Sequence, residues 1–321
     1  MKSKRILVTG GTGFLGSQLV ARLVSEGYYV RVLDNDSRGS KKRLQNISSK
    51  IHFIHGAIRN LSVVKKACQE IDCVFHLAFI NGTAFFYQKP ELVLDVGVKG
   101  IINVIDACLA HNVPEFFLAS SSEVYQTPPK IPTNETVSLS IPDPLNPRYS
   151  YGGGKIISEL MAINFGRKFF KRVVIFRPHN VYGPDMGYEH VIPQLSLKMK
   201  KLCLKTKGLV NFPIEGTGKE TRSFVYIDDF IDGLMLLLKK GKHLNIYHVG
   251  TAQEISIEKV AQKIAKYFKR DIRVIPGILK KGGTTRRCPD ITKISQLGFS
   301  PKITIEEGLG RTVAWYDAHS K

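Results

Sequence analysis

The sequence has few of the residues that cross-linked or metal-rich proteins depend on. Among its 321 residues are one tryptophan and five cysteines. The cysteines are odd in number, scattered and without a C-x-x-C pair, so neither a disulfide framework nor a zinc site is indicated. We therefore expect no metal site and a reducing compartment. The cysteines are Cys68, Cys73, Cys108, Cys203 and Cys288.

Long hydrophobic runs are also missing. The apolar stretch Ile6–Val8 near the N-terminus is too short for the core of a signal peptide. No later run approaches the ~18 uninterrupted apolar residues of a membrane span. With 43% hydrophobic and 23% charged residues, the composition is that of an ordinary globular protein. The sequence therefore predicts a cytoplasmic protein without membrane insertion.

Acidic residues are scarce relative to basic ones. There are 47 Lys and Arg against 27 Asp and Glu, a formal charge of +20. The excess is spread evenly over the two halves of the chain, and the densest basic patches, at 198–207 and 239–242, lack the interleaved aromatics that stack on bases. We expect solvated basic faces and no nucleic-acid partner. A general positive potential would still attract an anionic substrate.

Short β-branched runs alternate with helical patterns through the first half of the chain. Strands followed by helices predict an α/β fold, a Rossmann-type doubly wound parallel sheet. After Pro178 the alternation breaks, which favours a smaller mixed α/β region that binds substrate. We predict domains at 1–178 and 179–321, with some chain exchange between them. Predicted strands are 5–8, 29–33, 51–54, 73–77, 116–119, 173–176, 210–214 and 245–249; predicted helices are 14–25, 61–70, 90–110, 149–170, 228–238, 257–267 and 305–316.

A glycine-rich turn follows the first predicted strand. Gly10, Gly13 and Gly16 have G-x-x-G-x-x-G spacing, which allows a tight turn, close approach to a pyrophosphate and close helix packing. Asp34 ends the second strand, where a carboxylate accepts hydrogen bonds from the ribose hydroxyls of NAD and repels the 2'-phosphate of NADP. NAD is therefore the predicted cofactor. The nearby basic residues leave NADP open: Arg31, Arg38, Lys41 and Lys42.

A Y-x-x-x-K pair opens the helix predicted after the proline-rich segment 128–147. Tyr151 and Lys155 are four residues apart, so both side chains lie on one helix face. A lysine ammonium beside a phenol lowers the pKa of the phenol, and an oxidised nicotinamide would lower it further. Tyr151 is therefore the candidate base.

The order of these motifs resembles the extended short-chain dehydrogenase/reductase family, and within it the nucleotide-sugar epimerases and dehydratases. The resemblance runs nearly end to end. It is carried by the glycine turn, Phe75–Ala78, Ser121, Tyr151, Lys155, Arg177–Pro184, Arg222–Asp229 and Arg287–Asp290.

The resemblance implies a role for each matching residue. Ser121 would hydrogen-bond the sugar hydroxyl being oxidised, Tyr151 would remove its proton, and Lys155 would hold the nicotinamide ribose. A nucleotide-diphosphate sugar is the implied substrate and a homodimer the implied assembly. Substrate contacts are implied for Ser122, Asn180, Phe212, Arg222 and Arg287, with Phe212 near the base; cofactor contacts are implied for Gly10, Gly13, Phe14, Leu15, Gly16, Asp34, Asn35, Ile58, Leu77, Ala78, Phe79, Tyr151, Lys155 and Pro178.

Some positions depart from the family pattern. Ala57 stands where an Asp usually reaches the adenine, Gly97 where Asn is general, and Gln126 where Gly is usual. Three glycines, 152–154, open a helix although each interior glycine costs up to ~1 kcal/mol relative to Ala. We expect a close backbone approach there, by substrate or by a partner subunit.

The reaction turns on Ser122 and Glu123, which follow Ser121. In the family's 4,6-dehydratases an Asp and a Glu stand here, as acid for the leaving hydroxyl and as base at C5. Glu123 keeps the base, whereas a serine hydroxyl is too weak an acid to replace the carboxylic acid. The pattern favours a dehydratase with Glu123 at C5. A Ser-Glu pair also resembles nucleotide-sugar decarboxylases and some dehydratases in which the Glu serves both roles, whereas simple C4-epimerases usually lack the Glu.

Other interpretations remain. Glu123 could be a salt-bridged loop residue, and the histidines 76 and 179 serve structure or line the cofactor pocket rather than act as bases. A non-catalytic NAD(P)-sensing regulator shares the fold but commonly loses the Tyr or the Lys. A carbonyl reductase would keep the triad without needing Arg222 and Arg287.

Overall fold

The structure is a computed structural model that describes residues 3–278 and 284–320. The chain divides into two compact units. The first unit contains the residues up to Gln126, Ser138–Pro178 and Ile231–Tyr247. The second contains Thr127–Val137, His179–Phe230 and the residues from His248 onward.

A seven-stranded sheet forms the centre of the first unit. Its order is β11-β6-β5-β4-β1-β2-β3, and the pairings from β3 across to β6 are parallel. The strands are β1 (Arg5–Thr9), β2 (Tyr29–Asp34), β3 (Ile51–His55), β4 (Cys73–His76), β5 (Glu115–Ala119), β6 (Arg172–Pro178), β7 (Val181–Tyr182), β8 (Val210–Pro213), β9 (Thr221–Arg222), β10 (Val225–Tyr226), β11 (Asn245–Val249), β12 (Ile255–Ser256), β13 (Ile272–Ile275) and β14 (Arg286–Arg287).

Helices connect these strands. The helix α4 continues through a π-helical turn, Asp95–Lys99, into α5, and 3₁₀ turns lie at Lys41–Lys50, Ser122–Tyr125 and Pro147–Tyr149. The helices are α1 (Phe14–Ser25), α2 (Leu61–Cys68), α3 (Thr83–Gln88), α4 (Pro90–Leu94), α5 (Gly100–Ala110), α6 (Ser150–Phe169), α7 (Val191–Lys205), α8 (Ile227–Lys240), α9 (Ile257–Tyr267), α10 (Thr292–Ser295) and α11 (Ile305–His319).

The predicted fold class is confirmed. The central strands are continuous apolar runs rather than alternating ones because both faces of a parallel sheet are covered. In β1 the consecutive residues Ile6, Leu7 and Val8 are all fully buried. An apolar cluster containing Leu7, Val74 and Val104 fills one side of this sheet.

The second unit is built from short strands and amphipathic helices. Its pairs are β7 with β10, β8 with β13, and a three-stranded sheet ordered β12-β9-β14. Helix α11 packs on α7 and α9. The helix α7 is missing from the sequence prediction because Pro193 and a lysine run obscure its periodicity. Pro193 lies in the first turn, where no intrahelical N–H is needed.

All five cysteines are free thiols. Cys68, Cys73 and Cys108 are fully buried, and burial raises the pKa of the Cys73 thiol. Within the described ranges no helix combines the length and hydropathy required to cross a bilayer.

A buried ion pair joins β6 to α6. The Arg177 guanidinium donates to both carboxylate oxygens of Glu159, at 2.8 and 2.6 Å, and both side chains are 2% exposed. Two further hydrogen bonds complete the network. Ser120 donates to Glu159, and Tyr125 accepts from Arg177. The network ties the end of β5 and the following turn to β6 and α6.

Replacing Glu159 with Gln should destabilise the protein by about 3–5 kcal/mol, because the Arg177 charge would stay buried without its counter-ion. The matched control is Glu70→Gln, which breaks the exposed pair between Arg5 and Glu70 and should change stability by less than about 1 kcal/mol. Urea unfolding of both variants measures the difference. Equal effects would show that the buried pair does not stabilise this unit.

Candidate active site

The strand order reverses between β1 and β4, and a crevice opens at the carboxyl ends of these two strands. In doubly wound sheets this switch point is where dinucleotides bind. Gly10 follows β1, and Leu77 and Ala78 follow β4. The sequence motif and the topology therefore point to the same edge of the sheet.

The glycines of the turn are required by close backbone packing. A Cβ on Gly10 would lie 2.8 Å from the Ala78 nitrogen, and Gly10 has a φ of +74°. A Cβ on Gly16 would lie 2.8 Å from the Gly11 Cα. Gly13 caps the N-terminus of α1 without a side-chain partner. The turn thus presents backbone and the positive end of a helix to the crevice, the arrangement that binds pyrophosphate.

A cavity of about 370 Å³ lies in the second unit, and one of about 270 Å³ lies in the crevice of the first. The crevice cavity collects eight of the predicted cofactor residues. Phe14, Leu15 and Gly16 form the adjacent first turn of α1, whereas Pro178 ends β6 outside the lining. Arg59 and Val96 also line the cavity, although the sequence did not assign them to the cofactor, and Arg38 had been considered only in connection with NADP. The eight are Gly10, Gly13, Asp34, Asn35, Ile58, Leu77, Ala78 and Phe79.

Asp34 is fixed by backbone donors. Its Oδ2 accepts from the Thr12 amide and its Oδ1 from the Asp36 amide, both at 2.9 Å. Arg31, considered as a partner for a 2'-phosphate, is buried and donates to the carbonyls of Ala67 and Gln69. The Arg31 guanidinium is therefore engaged by these carbonyls, and Arg31 does not line the crevice cavity. Arg38 lines the cavity.

The crevice fits NAD. A dinucleotide needs a glycine cradle at a helix N-terminus and a carboxylate at the end of the second strand, and both are present. Ala57 also lines the cavity, so the carboxylate usual in the family at this position is replaced by a methyl group.

At the adjoining strand end, Ser121, Tyr151 and Lys155 lie together. Ser121 follows β5, caps the 3₁₀ turn by accepting from the Glu123 amide at 3.1 Å, and hydrogen-bonds Tyr151. Lys155 Nζ donates to the Ala119 carbonyl at 2.7 Å and lies 5.7 Å from the centre of the Tyr151 ring. The predicted triad is therefore assembled in the first unit.

The predicted lowering of the Tyr151 pKa is wrong for the chain without cofactor. Burial raises the pKa of Tyr151, the hydrogen bond with Ser121 opposes this, and the nearby Glu123 charge raises it further. Burial also lowers the pKa of Lys155 to about 7, against a raising effect of Glu159. Desolvation disfavours the charged form of each group and is the largest effect on both pKa values.

Glu123 has a cationic neighbour that the sequence did not reveal. The Arg148 guanidinium lies 3.6 Å from the Glu123 carboxylate, and its Nε has no hydrogen-bond partner among the described residues. Arg148 comes from the 3₁₀ turn before α6, so only the fold brings the pair together. Ser122 is buried beside Glu123.

The glycines at the start of α6 accommodate side chains of the same chain. A Cβ on Gly152 would collide with the Gln126 amide, which donates to the Glu123 carbonyl at 2.5 Å. A Cβ on Gly154 would lie 2.9 Å from Phe79 Cζ. The close approach expected there is therefore made by two side chains of the same chain, those of Gln126 and Phe79. Gln126 has a φ of +51° at the position where the family has glycine.

In the second unit, three predicted phosphate contacts lie close together. Arg222 and Arg287 are partners in the parallel pairing of β9 with β14. Arg222 donates to the Thr284 carbonyl at 2.5 Å and Arg287 to the Thr284 hydroxyl at 2.9 Å. Asn180 donates to the Ser223 carbonyl at 3.3 Å, one residue from Arg222. The unit thus presents two guanidinium groups and an amide in one region.

Three other predicted residues lie in structural positions. Phe212 is fully buried, so the structure offers no exposed ring face for a base. His76 contacts the Thr9 hydroxyl at 2.8 Å, and burial lowers its pKa to about 3. His179 is buried against the ring of His248. No group of His, Cys, Asp or Glu suited to hold a metal occurs in residues 3–278 and 284–320.

The fold and the triad define an NAD-dependent enzyme of the Rossmann type. The family profile described as the NAD-dependent epimerase/dehydratase family matches residues 6–250. The chain belongs to this family.

Its relatives catalyse different reactions. The chain is 31% identical to UDP-glucuronic acid decarboxylase 1 of Arabidopsis thaliana, over 98% of this chain and 70% of the relative. The structure is similar to a dTDP-glucose 4,6-dehydratase from Streptomyces venezuelae with NAD bound (TM-score 0.86, 27% identity, 98% and 97% of the chains covered). It is also similar to a UDP-glucose 4-epimerase from Thermotoga maritima with UDP-glucose (TM-score 0.86, 26%, 99% and 100%).

The buried Lys155 predicts a pH-dependent stability of the cofactor-free protein. Its pKa is lower in the folded chain, about 7, than in the unfolded one, so the unfolded chain binds more protons between these pKa values and stability rises with pH in that window. From pH 7 to 9 the gain should be about 2 kcal/mol relative to Lys155→Met. Urea unfolding at several pH values measures it. Parallel profiles for the two proteins would contradict a depressed Lys155 pKa.

Proposed function

We propose that this protein oxidises a nucleotide-diphosphate sugar at C4 to a 4-keto intermediate and then eliminates water. Tyr151 accepts the proton of the C4 hydroxyl, Ser121 orients that hydroxyl, and Lys155 holds the nicotinamide ribose. Bound NAD supplies the chemistry of accepting a hydride from C4 and returning it later. The observation that carries the proposal is the contact of Ser121 and Lys155 with Tyr151, with Glu123 two residues from Ser121.

Glu123 is the proposed base for elimination. A 4-keto group acidifies the proton at C5, and a carboxylate removes it more readily than a hydroxyl such as that of Ser122. The protonated Glu123 then gives the proton to the hydroxyl leaving from C6, so that one water is lost and one C=C bond forms. The Arg148 guanidinium, 3.6 Å from the Glu123 carboxylate, supports this role because an ion pair orients the carboxylate.

A decarboxylase is the second candidate, favoured by Arg148. Its guanidinium is 13% exposed, lies next to Glu123, and has an Nε without a hydrogen-bond partner in the described residues. The Arg148 guanidinium could bind a second carboxylate, that of a uronate sugar, because a guanidinium binds carboxylates through two parallel hydrogen bonds. The relative from Arabidopsis thaliana is named a UDP-glucuronic acid decarboxylase. Loss of carbon dioxide from the 4-keto acid would need no acid at Ser122.

Arg222, Arg287 and Asn180 are proposed to bind the diphosphate, with Ser122 near the sugar. The pairing of β9 with β14 holds the two arginines side by side. Charge-assisted bonds from planar guanidinium groups are the strongest donors for phosphate oxygens.

Product mass after incubation with UDP-, GDP-, CDP- and dTDP-sugars, including a uronate, separates the candidates. Loss of water supports the dehydratase, loss of carbon dioxide supports the decarboxylase, and an isomer of unchanged mass indicates a C4-epimerase. No product from any sugar, with NAD still bound, would contradict the proposal and favour a regulator.

Glu123→Gln should separate oxidation from elimination. The amide keeps the shape of the side chain but cannot take the C5 proton, so reduced nicotinamide should accumulate while product formation falls at least about 100-fold. Absorbance of reduced nicotinamide in a single turnover measures the first effect. The control Tyr151→Phe should bind nucleotide but show no reduced cofactor. Parental turnover in Glu123→Gln would make Glu123 structural and favour the epimerase.

We also propose a homodimer formed through α4–α6. Leu94, Ile102, Ile157 and Leu160 are 38–55% exposed on these helices, which pack on one another. Exposed apolar residues grouped in this way mark interaction surfaces. Light scattering should give twice the chain mass, and Leu160→Glu should shift it to one chain mass, whereas the control Leu204→Glu on α7 should not. A monomeric parent would contradict the dimer.

The cytoplasm is the proposed location. Support comes from five free thiols, of which three are fully buried in the sheet unit and would be at risk of cross-linking during folding in an oxidising compartment. Cell fractionation would test it, and recovery from an oxidising compartment would contradict it.

A further inference from the structure

The ring of Phe79 covers the ammonium of Lys155. Lys155 Nζ lies 4.1 Å from the Phe79 ring centre, closer than to the ring of Tyr151. The Phe79 ring also meets the Tyr151 ring edge-on, with centres 5.2 Å apart. Phe79 therefore contacts both side chains of the Y-x-x-x-K pair.

Two glycines from other segments leave the space that this ring occupies. A Cβ on Gly97, in the π-helical turn after α4, would lie 2.5 Å from Phe79 Cε2. A Cβ on Gly154 would lie 2.9 Å from Phe79 Cζ. Neither glycine has a positive φ, so clearance for the ring rather than backbone conformation explains them.

Phe86 provides a comparison on the other side of the tyrosine. Its ring stacks on Tyr151 with centres 4.8 Å apart and planes inclined by 18°. Phe86 is buried in the same apolar cluster as Tyr151, but Lys155 has ring contacts with Phe79 and Tyr151. Phe79 and Phe86 thus bury the same phenol, whereas the contact with the ammonium belongs to Phe79.

We propose that Phe79 is a positioning residue that holds the Lys155 ammonium against its ring and keeps water from it, and that Gly97 and Gly154 provide the clearance this ring requires. The proposal rests on the proposed function only in giving Lys155 a catalytic task. It concerns a contact within the chain, so it is testable without substrate.

The ring acts on Lys155 in two opposite ways. Its π face attracts the ammonium and favours the charged form, whereas its bulk excludes water and favours the neutral form. Burial as a whole lowers the pKa of Lys155 to about 7, with the Glu159 charge acting against it, and the Phe79 ring contributes to that burial by covering the ammonium. A substitution that removes only the π face should therefore shift the titration in the opposite direction from one that admits water.

The experiment compares Phe79→Leu with Phe79→Ala in the cofactor-free protein. For each variant, the free energy of unfolding in urea is measured across pH with Lys155 present and with Lys155→Met. The difference between these two profiles gives the midpoint of the Lys155 titration. Phe79→Leu keeps apolar bulk and should lower the midpoint by about half to one pH unit, the equivalent of a partly buried cation–π contact. Phe79→Ala admits water and should raise it by at least about one unit. Phe86→Leu is the matched control and should leave the midpoint unchanged.

The clearance is tested by Gly97→Ala, whose methyl group would push the ring away. Alone it should shift the Lys155 midpoint in the same direction as Phe79→Ala, and in the Phe79→Ala background it should add no further shift. Gly153→Ala is the control on α6, where an added Cβ would have only an ordinary contact, 3.5 Å from Ile141. If Gly97→Ala does not fold, Gly154→Ala makes the same test with a smaller collision.

Shifts of the same sign in Phe79→Leu and Phe79→Ala, or no shift in either, would overturn the proposal and leave Phe79 as packing only. Additive effects of Gly97→Ala and Phe79→Ala would overturn the clearance role. These readouts need no sugar nucleotide. If the protein turns over no sugar nucleotide, but the Lys155 midpoint falls in Phe79→Leu and rises in Phe79→Ala, the proposed function is refuted and this inference stands.

Discussion

A lysine ammonium kept out of water at the carboxyl end of β5 is the constraint on which the active site depends. Lys155 is 3% exposed and has one backbone carbonyl, that of Ala119, as its hydrogen-bond acceptor at 2.7 Å. Burying a charge is costly unless opposite charge lies near. Glu159, one turn along α6, supplies it and raises the pKa of Lys155 against the effect of burial. Arg177 in turn holds Glu159 in place through two hydrogen bonds.

The same network fixes the position of the reacting groups. Ser120 donates a hydrogen bond to Glu159, and Tyr125 accepts one from Arg177. These two residues flank the segment that carries Ser121 and Glu123. A buried, hydrogen-bonded cluster has a narrow range of geometries, and its four side chains come from α6, β6, the 3₁₀ turn and the residue that follows β5. The segment that carries Ser121 and Glu123 is therefore held at both ends by one polar cluster.

Local motifs made much of this predictable, whereas contacts between distant segments were not. The glycine turn and the Tyr151–Lys155 pair depend on spacing within one strand–turn–helix or one helix, which the sequence displays directly. The contact between Phe79, Gly97 and Gly154 joins three segments, so the sequence showed the two glycines as isolated departures and Phe79 as a cofactor contact, without linking them. Arg148 gave no signal because its partner Glu123 is 25 residues away and the fold alone brings them together. The direction of the Tyr151 pKa depends on aromatic burial, which spacing does not report.

The raised pKa of the buried Tyr151 has a consequence for the proposed function. In the chain alone the phenol of Tyr151 keeps its proton, since burial and the Glu123 charge both raise its pKa, and Lys155 is only partly charged near pH 7. A phenol in this state becomes a base only when positive charge is brought close to it in a medium of low dielectric, where such a charge acts strongly. Oxidised nicotinamide carries a positive charge and the reduced form does not. Under the proposed mechanism, the apolar walls built by Phe79 and Phe86 would therefore make proton removal by Tyr151 depend on the oxidised cofactor, so that the sugar hydroxyl would be activated when a hydride acceptor is present.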